Sequence, residues 1–401
     1  MIDKADVNSL RNIRFAVSAF FFCQGFCFSN WATRIPDIKT GLGLDDASWG
    51  AVLLMMPIGQ VAAMGVASSL ISKFGSRKIG FVAFFCFMAA FLSISLVRNQ
   101  YLLMIVLILF GLFANTCNLA VNTQVVNIEK LYGRSIMSSI HGSWSVANVV
   151  GALIGLLIIN LHLNTFQHFL SITVIAGLVA IIAAKYLLSE EDVKEISMNN
   201  IIKDSSAKSK KRPEYFLFTL GLIGFCGIAL EATIADWGAI YFKRIAEAPV
   251  NLYTVGFTAF AIMMAVGRFT SDKVVRKFGE RRFFQLSGLL VIIGGLLTFL
   301  YPGLVTSTVA FMLIGFGIAG ISPIVFSVAA RKTVISTQMA LTLIFGISFT
   351  GFLTVPPLIG YISHAVNLRY AFTLILVLGA LVVVLASVIN ILKNDSKGNS
   401  E

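Results

Sequence analysis

The stretch "KFGERR", Lys277–Arg282, repeats a motif that occurs 204 residues earlier as "KFGSRK", Lys73–Lys78. Both copies follow a long apolar run, and both place a glycine between a phenylalanine and basic residues. Two more pairs lie 206 and 205 residues apart: "NWA" (Asn30–Ala32) with "DWG" (Asp236–Gly238), and "GALIG" (Gly151–Gly155) with "PPLIG" (Pro356–Gly360). Three matches at a nearly constant spacing predict a duplicated unit of about half the chain.

The composition indicates a membrane protein. Hydrophobic residues make up 57% of the chain and charged residues only 12%, whereas a soluble domain has about 25% charged residues. The apolar runs are long enough to cross a bilayer as helices, and the alternation of a β-barrel strand is absent. The sequence therefore predicts an all-α polytopic protein with twelve transmembrane helices in two pseudo-symmetric six-helix bundles. The predicted spans are 15–35, 48–72, 79–97, 101–125, 137–160, 167–188, 215–242, 252–271, 283–301, 304–329, 337–362 and 369–392.

One long polar stretch divides the spans six and six. It begins at Ser189 and mixes both signs of charge with Ser and Asn, as a solvated linker does. We expect residues 1–188 to form the N-terminal bundle, 189–213 a cytosolic linker, and 214–401 the C-terminal bundle.

The basic residues predict the orientation. With the N-terminus inside, 24 of the 31 Lys and Arg residues fall on the cytosolic side and 6 on the outside, with Arg268 near a helix end. This positive-inside pattern predicts that both termini are cytosolic. Because topology accounts for the net charge of +12, it gives no reason to expect a nucleic-acid partner.

The residues do not suggest an enzyme. All five cysteines lie inside predicted spans without a CxxC pair, and the four histidines are scattered. We therefore expect no metal and no cofactor. A nucleophile–base set or a nucleotide loop is also missing, and a sensor would usually carry a larger soluble domain.

The two halves, the linker and the basic loop after spans two and eight resemble the major facilitator superfamily. The second loop keeps the pattern in "GRFTSDKVVRKFGERR" (Gly267–Arg282), whereas the first has Ser68 and Ser72 where acids are expected. Three stretches are similar to a bacterial inner-membrane branch near the fucose-permease-type sugar transporters: "NWATRIPDIK", "NLAVNTQVVNIEKLYGRSIMSSIHGSWS" and "LEATIADW". The resemblance implies a monomeric secondary transporter whose partners are a small solute, protons and the bilayer. Its halves would rock around a central site lined by spans one, four, seven and ten.

Span four carries a row of amides. Asn115, Asn118 and Asn122 fall within about 60° of one another around a helix. Amides at membrane depth either line a wet cavity or hydrogen-bond to a neighbouring helix. We expect all three to contact solute, with interhelical bonding as the alternative.

Span one offers further polar groups. Gln24 lies near the middle of the span, where it is expected to bind a solute hydroxyl or amide. Trp31 is expected to stack on a sugar ring or to lie at the membrane–water interface. The helix is predicted to end near Pro36, which would leave Arg34 at the rim beside Asp37.

Span seven carries two carboxylates. Glu231 lies roughly 22 Å into the span and Asp236 about 30 Å, at the outer rim, and the two are about 140° apart around the helix. Proton coupling needs a carboxylate that binds and releases a proton as its surroundings change. We expect Glu231 to have this role or to bind the solute, with a purely packing role as the alternative. Asp236 and His141 are further protonatable candidates, with hydrogen bonding at a helix end as the alternative for His141.

Charged residues near the cytosolic ends predict gates. Glu129 lies beside Arg134 after span four, and Arg268 and Asp272 lie one turn apart after span eight. We expect each pair to take part in closing the cytosolic side, with a structural ion pair as the alternative for Glu129 and a solvated surface pair as the alternative for Arg268 and Asp272.

The favoured function is proton-coupled symport of a sugar or related polar solute, since the amides suit a neutral hydroxylated molecule. The 34 phenylalanines keep a drug/proton antiporter for amphipathic compounds as the alternative. A membrane sensor or membrane-embedded enzyme ranks below both.

Overall fold

A computed structural model describes residues 4–132, 136–189, 215–333, 335 and 337–389, and within these ranges it contains helices and no strands. The helices are α1 (Lys4–Gly41), α2 (Asp46–Leu53), α3 (Met55–Phe74), α4 (Ser76–Ile94), α5 (Gln100–Tyr132), α6 (Met137–Asn160), α7 (Thr165–Ala184), α8 (Tyr215–Arg244), α9 (Val255–Leu300), α10 (Leu304–Ile318), α11 (Ile321–Lys332), α12 (Thr337–Ala365), α13 (Leu368–Ala371) and α14 (Thr373–Val388).

The helices account for the predicted spans. Ten helical segments of the described chain are long and apolar enough to cross a membrane. One of them, α9, is bent at Gly279 and therefore contains two of the predicted spans. The apolar part of α1 supplies the remaining span, and the all-α prediction is confirmed.

The chain forms two compact units. The first contains Met1–Gly43 and Val52–Ser206, and the second contains Leu44–Ala51 and Ala207–Glu401. The predicted linker, 189–213, lies outside the described residues except for Ser189.

The two units pair their helices in the same order. In the first unit α1 packs on α5, α6 and α7, while α5 also packs on α3 and α4. In the second unit α8 packs on α11, α12 and α14, and α9 packs on α10 and α14. The predicted duplication is therefore present in the packing as well as in the motifs.

The repeated motif forms the same turn in both units. Gly75 has φ 86° and Gly279 has φ 80°, a left-handed conformation that residues with a Cβ rarely adopt. In both copies the lysine two positions before the glycine lies over the ring of the following phenylalanine, at 5.2 Å from the centroid for Lys73 and 5.3 Å for Lys277. The glycine in each copy is therefore needed to turn one span into the next.

A pair of close helix contacts also repeats. A Cβ on Gly111 would lie 2.0 Å from the carbonyl oxygen of Met56, and a Cβ on Gly315 would lie 2.5 Å from that of Phe260. Gly315 lies 204 residues after Gly111, and Phe260 lies 204 residues after Met56. Small residues at such crossings let transmembrane helices approach closely.

The first helix does not end where the sequence predicts. It continues through Pro36 to Gly41, and Thr40 donates its hydroxyl to the Pro36 carbonyl at 2.7 Å. The prediction of an end near Pro36 was wrong. Proline removes one hydrogen bond from a helix, and neighbouring groups in a membrane helix can compensate for that loss.

The segment Leu44–Ala51 completes the second unit although it precedes the linker. Its Asp46 forms an ion pair with Arg244 of α8 at 2.6 Å and also accepts a hydrogen bond from Ser363 of α12. Gly50 packs against Gly360 so closely that a Cβ on Gly360 would lie 2.5 Å from the Asp46 carbonyl oxygen.

Candidate functional site

Gln24 links two helices of the first unit. Its side chain is 1% exposed, and its Nε2 donates to the carbonyl oxygen of Ala114 on α5 at 2.8 Å. Its Oε1 is enclosed and accepts no hydrogen bond from the described residues. Because a buried acceptor without a donor is costly, this oxygen is the strongest candidate in the first unit for a donor supplied by a solute or water.

The three asparagines of α5 make different hydrogen bonds. Asn115 donates to the carbonyl oxygen of Gln60 on α3 at 2.6 Å, so it joins two helices as the interhelical alternative expects. Asn122 donates to Oδ1 of Asn118 at 2.8 Å, and both side chains are half-buried. Asn118 and Asn122 therefore form an amide pair with hydrogen-bonding atoms left over for another molecule.

Trp31 and Arg34 are more enclosed by protein than the sequence indicates. Trp31 is 2% exposed, so its ring is enclosed by protein rather than exposed at the membrane–water interface. Arg34 is 5% exposed, and its predicted ion pair with Asp37 is confirmed at 2.8 Å. Arg34 also donates Nη2–H to the carbonyl oxygen of Leu163, in the connection between α6 and α7, at 2.6 Å, so it lies at the end of these helices but is covered by protein.

A histidine explains how Arg34 is accommodated. Arg34 donates Nε–H to Nδ1 of His168 at 2.9 Å, and Nε2 of His168 lies 2.7 Å from Oδ1 of Asn30. Since Nδ1 accepts from Arg34, the ring proton belongs on Nε2, where it donates to Asn30. This network joins α1 to α7, and sequence reasoning missed it because nothing in the spacing places His168 beside Asn30.

Glu129 caps the N-terminus of α6. Its Oε1 accepts hydrogen bonds from the backbone N–H groups of Ile136 and Met137, at 2.7 and 2.8 Å, where α6 begins. A carboxylate in that position compensates for the unpaired N–H groups of a helix terminus. Its expected partner, Arg134, lies outside the described residues, as does the side chain of His141.

The second unit brings Glu231 to a cation. Oε2 of Glu231 on α8 lies 3.8 Å from Nη2 of Arg268 on α9, and the two side chains are 36% and 29% exposed. The contact between the two side chains is long and both are accessible, so water or a solute can replace either partner. Sequence reasoning instead expected Arg268 to act with Asp272, which is exposed and has no hydrogen bond or ion pair within the described ranges.

Asp236 is the more deeply enclosed of the two carboxylates. It is 5% exposed and has no hydrogen bond or ion pair with any described residue. Asp236, expected at the outer rim, is therefore the carboxylate that protein encloses, and Glu231, expected further inside the span, is the accessible one. The two side chains point about 140° apart around the helix. Their burial depends on which neighbours pack on each side of the helix, and the position along the helix axis does not reveal that.

Two other buried acids of the second unit show how unusual Asp236 is. Asp46 binds Arg244, and Glu280 binds Arg331 and Lys332, with 3.1 Å between the lysine Nζ and Oε2 of Glu280. Each of these carboxylates is thus matched by at least one cation, as buried charges require.

Glu280 was missed by sequence reasoning, although the repeat held the clue. The first copy of the motif has Ser76 at the matching position, and Ser76 accepts a hydrogen bond from Gln124 at 2.7 Å. The second copy therefore replaces a neutral contact with an ionic one, between α9 and the end of α11.

Within the described ranges, no group of three or more His, Cys, Asp or Glu side chains could hold a metal ion. The cysteines Cys23, Cys27, Cys86, Cys117 and Cys226 are all free thiols.

Comparison with known proteins gives a consistent family. The model of the Major Facilitator Superfamily matches residues 17–338. The chain is 28% identical over 369 residues to the membrane protein MosC of Rhizobium meliloti. The match covers 92% of this chain and 88% of that protein. It is also 28% identical over 356 residues to an uncharacterised MFS-type transporter of Yersinia pestis, covering 88% and 89% of the two chains.

Solved structures share the fold. The nucleoside transporter NupG superposes with a TM-score of 0.70 at 13% identity, covering 94% of this chain and 98% of that one. A bacterial homologue of the human lysosomal transporter Spinster gives 0.71 at 14% identity, covering 94% and 95%. At these identities the likeness concerns the fold alone.

Proposed function

The chain belongs to the major facilitator superfamily, and from that premise we propose that it couples the movement of a small polar solute to the movement of protons. The observation that carries the proposal is Asp236, a buried carboxyl group with no partner among the described residues. An ionised carboxylate in such a place costs several kcal/mol, and a bound proton removes that cost. Asp236 is therefore proposed as the group that carries the proton in this conformation.

Glu231 has a complementary part in the proposal. Its contact with Arg268 is 3.8 Å long and about one-third exposed, so each partner is open to exchange. A solute hydroxyl or a proton that reaches Glu231 would release Arg268, and release of Arg268 would alter the packing of α8 against α9. A ligand shifts a conformational equilibrium only through unequal affinity for the two states, and this exchangeable pair supplies such a difference.

The amides favour a neutral, hydroxylated solute. Oε1 of Gln24 is an unsatisfied acceptor, and the Asn118–Asn122 pair keeps donors and acceptors outside its own bond. Such groups match the hydroxyls of a sugar or sugar derivative, and of a nucleoside equally well. For Trp31 the proposal of ring stacking requires a rearrangement that uncovers its face.

The alternative is an antiporter that exports amphipathic compounds. It is favoured by three phenylalanines of α12. The ring centroids of Phe345 and Phe349 lie 5.9 Å apart, and those of Phe349 and Phe352 lie 6.1 Å apart. A row of aromatic rings would bind an amphipathic cation through apolar contact area and cation–π attraction.

Reconstitution of the purified protein in liposomes tests the proposal. With an imposed pH gradient, acid outside, we expect accumulation of one member of a panel of labelled sugars, amino-sugars and nucleosides, and its loss on adding a protonophore. Transport that is indifferent to both treatments contradicts proton coupling. Gradient-driven movement of amphipathic cations, with no polar solute moved, selects the antiporter instead.

A further inference from the structure

A groove on the first unit combines charge with an apolar wall. Its volume is about 650 Å³, and its lining includes Arg77, Lys78 and Lys185 together with Phe81 and Ile181. The three basic residues come from the start of α4 and the end of α7, which meet at this end of the unit. Three cations around one groove attract an anion.

The apolar residues lie one helical turn further along the same helices. Phe81 is four residues beyond Arg77 on α4, and Ile181 is four residues before Lys185 on α7. One turn is about 5.4 Å, so a charged head between the basic residues would continue into an apolar part over Phe81 and Ile181. Both of these side chains are exposed.

The start of α4 adds a further attraction for anions. Arg77 and Lys78 lie in its first turn, which contains no acid. The N-terminus of a helix carries a partial positive charge, so basic residues there repel it and a phosphate group there is stabilised. A bound phosphate would offset this unfavourable charge arrangement.

The second unit does not repeat the groove. The arginines of the two copies behave alike: Arg77 donates to the carbonyl oxygen of Lys185 at 3.4 Å, and its counterpart Arg281 donates to that of Ser387 at 2.9 Å. Gln285, which corresponds to Phe81, donates to the hydroxyl of the same serine at 2.9 Å. The second copy thus has a polar side chain hydrogen-bonded to a serine where the first copy has the exposed ring of Phe81, so the apolar wall of the groove is not a mere consequence of the fold.

We propose that this groove binds an anionic phospholipid, with its phosphate between Arg77, Lys78 and Lys185 and an acyl chain along Phe81 and Ile181. The positive-inside pattern puts this end of the helices at the cytosolic leaflet, where anionic lipids meet basic pockets between transmembrane helices. A soluble phosphate would use the cations but leave the apolar wall exposed to water. A phospholipid would bind the basic residues with its phosphate and cover the apolar wall with its acyl chain.

The experiment is a lipid titration of the detergent-purified full chain, followed by native mass spectrometry. The variant Arg77→Gln/Lys78→Gln/Lys185→Ser is compared with Lys273→Gln/Arg276→Gln/Lys277→Gln, which removes three exposed cations from the second unit. The probes are phosphatidylglycerol, phosphatidylcholine and soluble glycerol phosphate. We expect phosphatidylglycerol to bind the first variant at least tenfold more weakly than it binds the wild type, and to bind the second as it binds the wild type.

Phe81→Gln keeps the charge and removes the apolar wall, and it remains informative if the triple variant fails to fold. We expect it to weaken phosphatidylglycerol binding severalfold. Equal binding of phosphatidylcholine, equal loss in the control variant, or no loss in Phe81→Gln would each overturn the proposal. Full competition by glycerol phosphate at the lipid's own concentration would overturn it in favour of a soluble anion.

Discussion

Asn30 and Asp236 occupy corresponding positions in the two units, yet only Asn30 is hydrogen-bonded. Nδ2 of Asn30 donates to the Phe26 carbonyl oxygen at 2.7 Å, and its Oδ1 lies 2.7 Å from His168. Asp236 has neither kind of partner in the described chain. The duplicated helix has thus kept a satisfied amide in one copy and an unpartnered carboxyl group in the other.

The first prediction concerns Asp236→Asn, which installs the residue of the first unit. The amide has nearly the same size but cannot bind a proton, so proton-driven accumulation should fall at least about tenfold while solute exchange without a gradient continues. Uptake and counterflow in the same liposomes measure the two quantities. Retained accumulation with wild-type pH dependence would show that Asp236 is structural.

A second prediction concerns Glu231 and Arg268. Because the pair is about one-third exposed, Glu231→Gln should lower the free energy of unfolding by less than about 1 kcal/mol. Transport should nevertheless fall at least about tenfold, and Arg268→Gln should have the same effect. The double variant should be no worse than either single one, since both changes break one interaction. Additive losses in this cycle would mean that the two residues act separately.

The third prediction concerns the ion pairs of Glu280. Its carboxylate is buried against Lys332 and Arg331, so Glu280→Gln should lower the free energy of unfolding by about 2–4 kcal/mol. Arg331 is largely exposed, so Arg331→Gln should cost less than about 1 kcal/mol. A thiol-reactive dye reports unfolding on heating, because Cys23, Cys27, Cys117 and Cys226 are buried. Equal shifts in the two variants would place the stabilisation elsewhere.

Glycine packing supplies a fourth prediction. Gly111→Ala would drive a methyl group into the Met56 carbonyl oxygen, and Gly315→Ala would do the same at Phe260. Both should destabilise the protein by more than about 2 kcal/mol, because the obstacle is backbone. Gly65→Ala is the matched control, since nothing lies within 4 Å of the added Cβ. It should raise stability by up to about 1 kcal/mol through helix propensity, and a loss there comparable to the other two would refute the packing argument.

The orientation of the chain yields a fifth prediction. Single cysteines introduced for Lys208 and Asn164, in a background without the native cysteines, should react with a membrane-impermeant thiol reagent from opposite sides. The positive-inside pattern puts Lys208 in the cytosol and Asn164 outside. Labelling of both from one side contradicts the proposed topology.

The sequence predicts most of the fold because span length, the repeated motifs and charge placement are local properties of the chain. Gly75 and Gly279, for example, are recognisable as a repeat before any contact is known. The site is less predictable because burial depends on which side of a helix is covered by its neighbours. Depth along α8 predicts an enclosed Glu231 and a wet Asp236, whereas packing produces the reverse. Partners distant in sequence, such as Arg34 and His168, leave no pattern that spacing could reveal.

The membership of Leu44–Ala51 in the second unit affects how the protein can be divided. A fragment that starts after the linker would contain Arg244 and Ser363 but not the carboxylate of Asp46 that binds both. Gly360 would likewise lose the backbone against which it packs. Co-expression of the two halves as separate polypeptides therefore amounts to complementation, in which the N-terminal polypeptide supplies a short segment that packs with its companion.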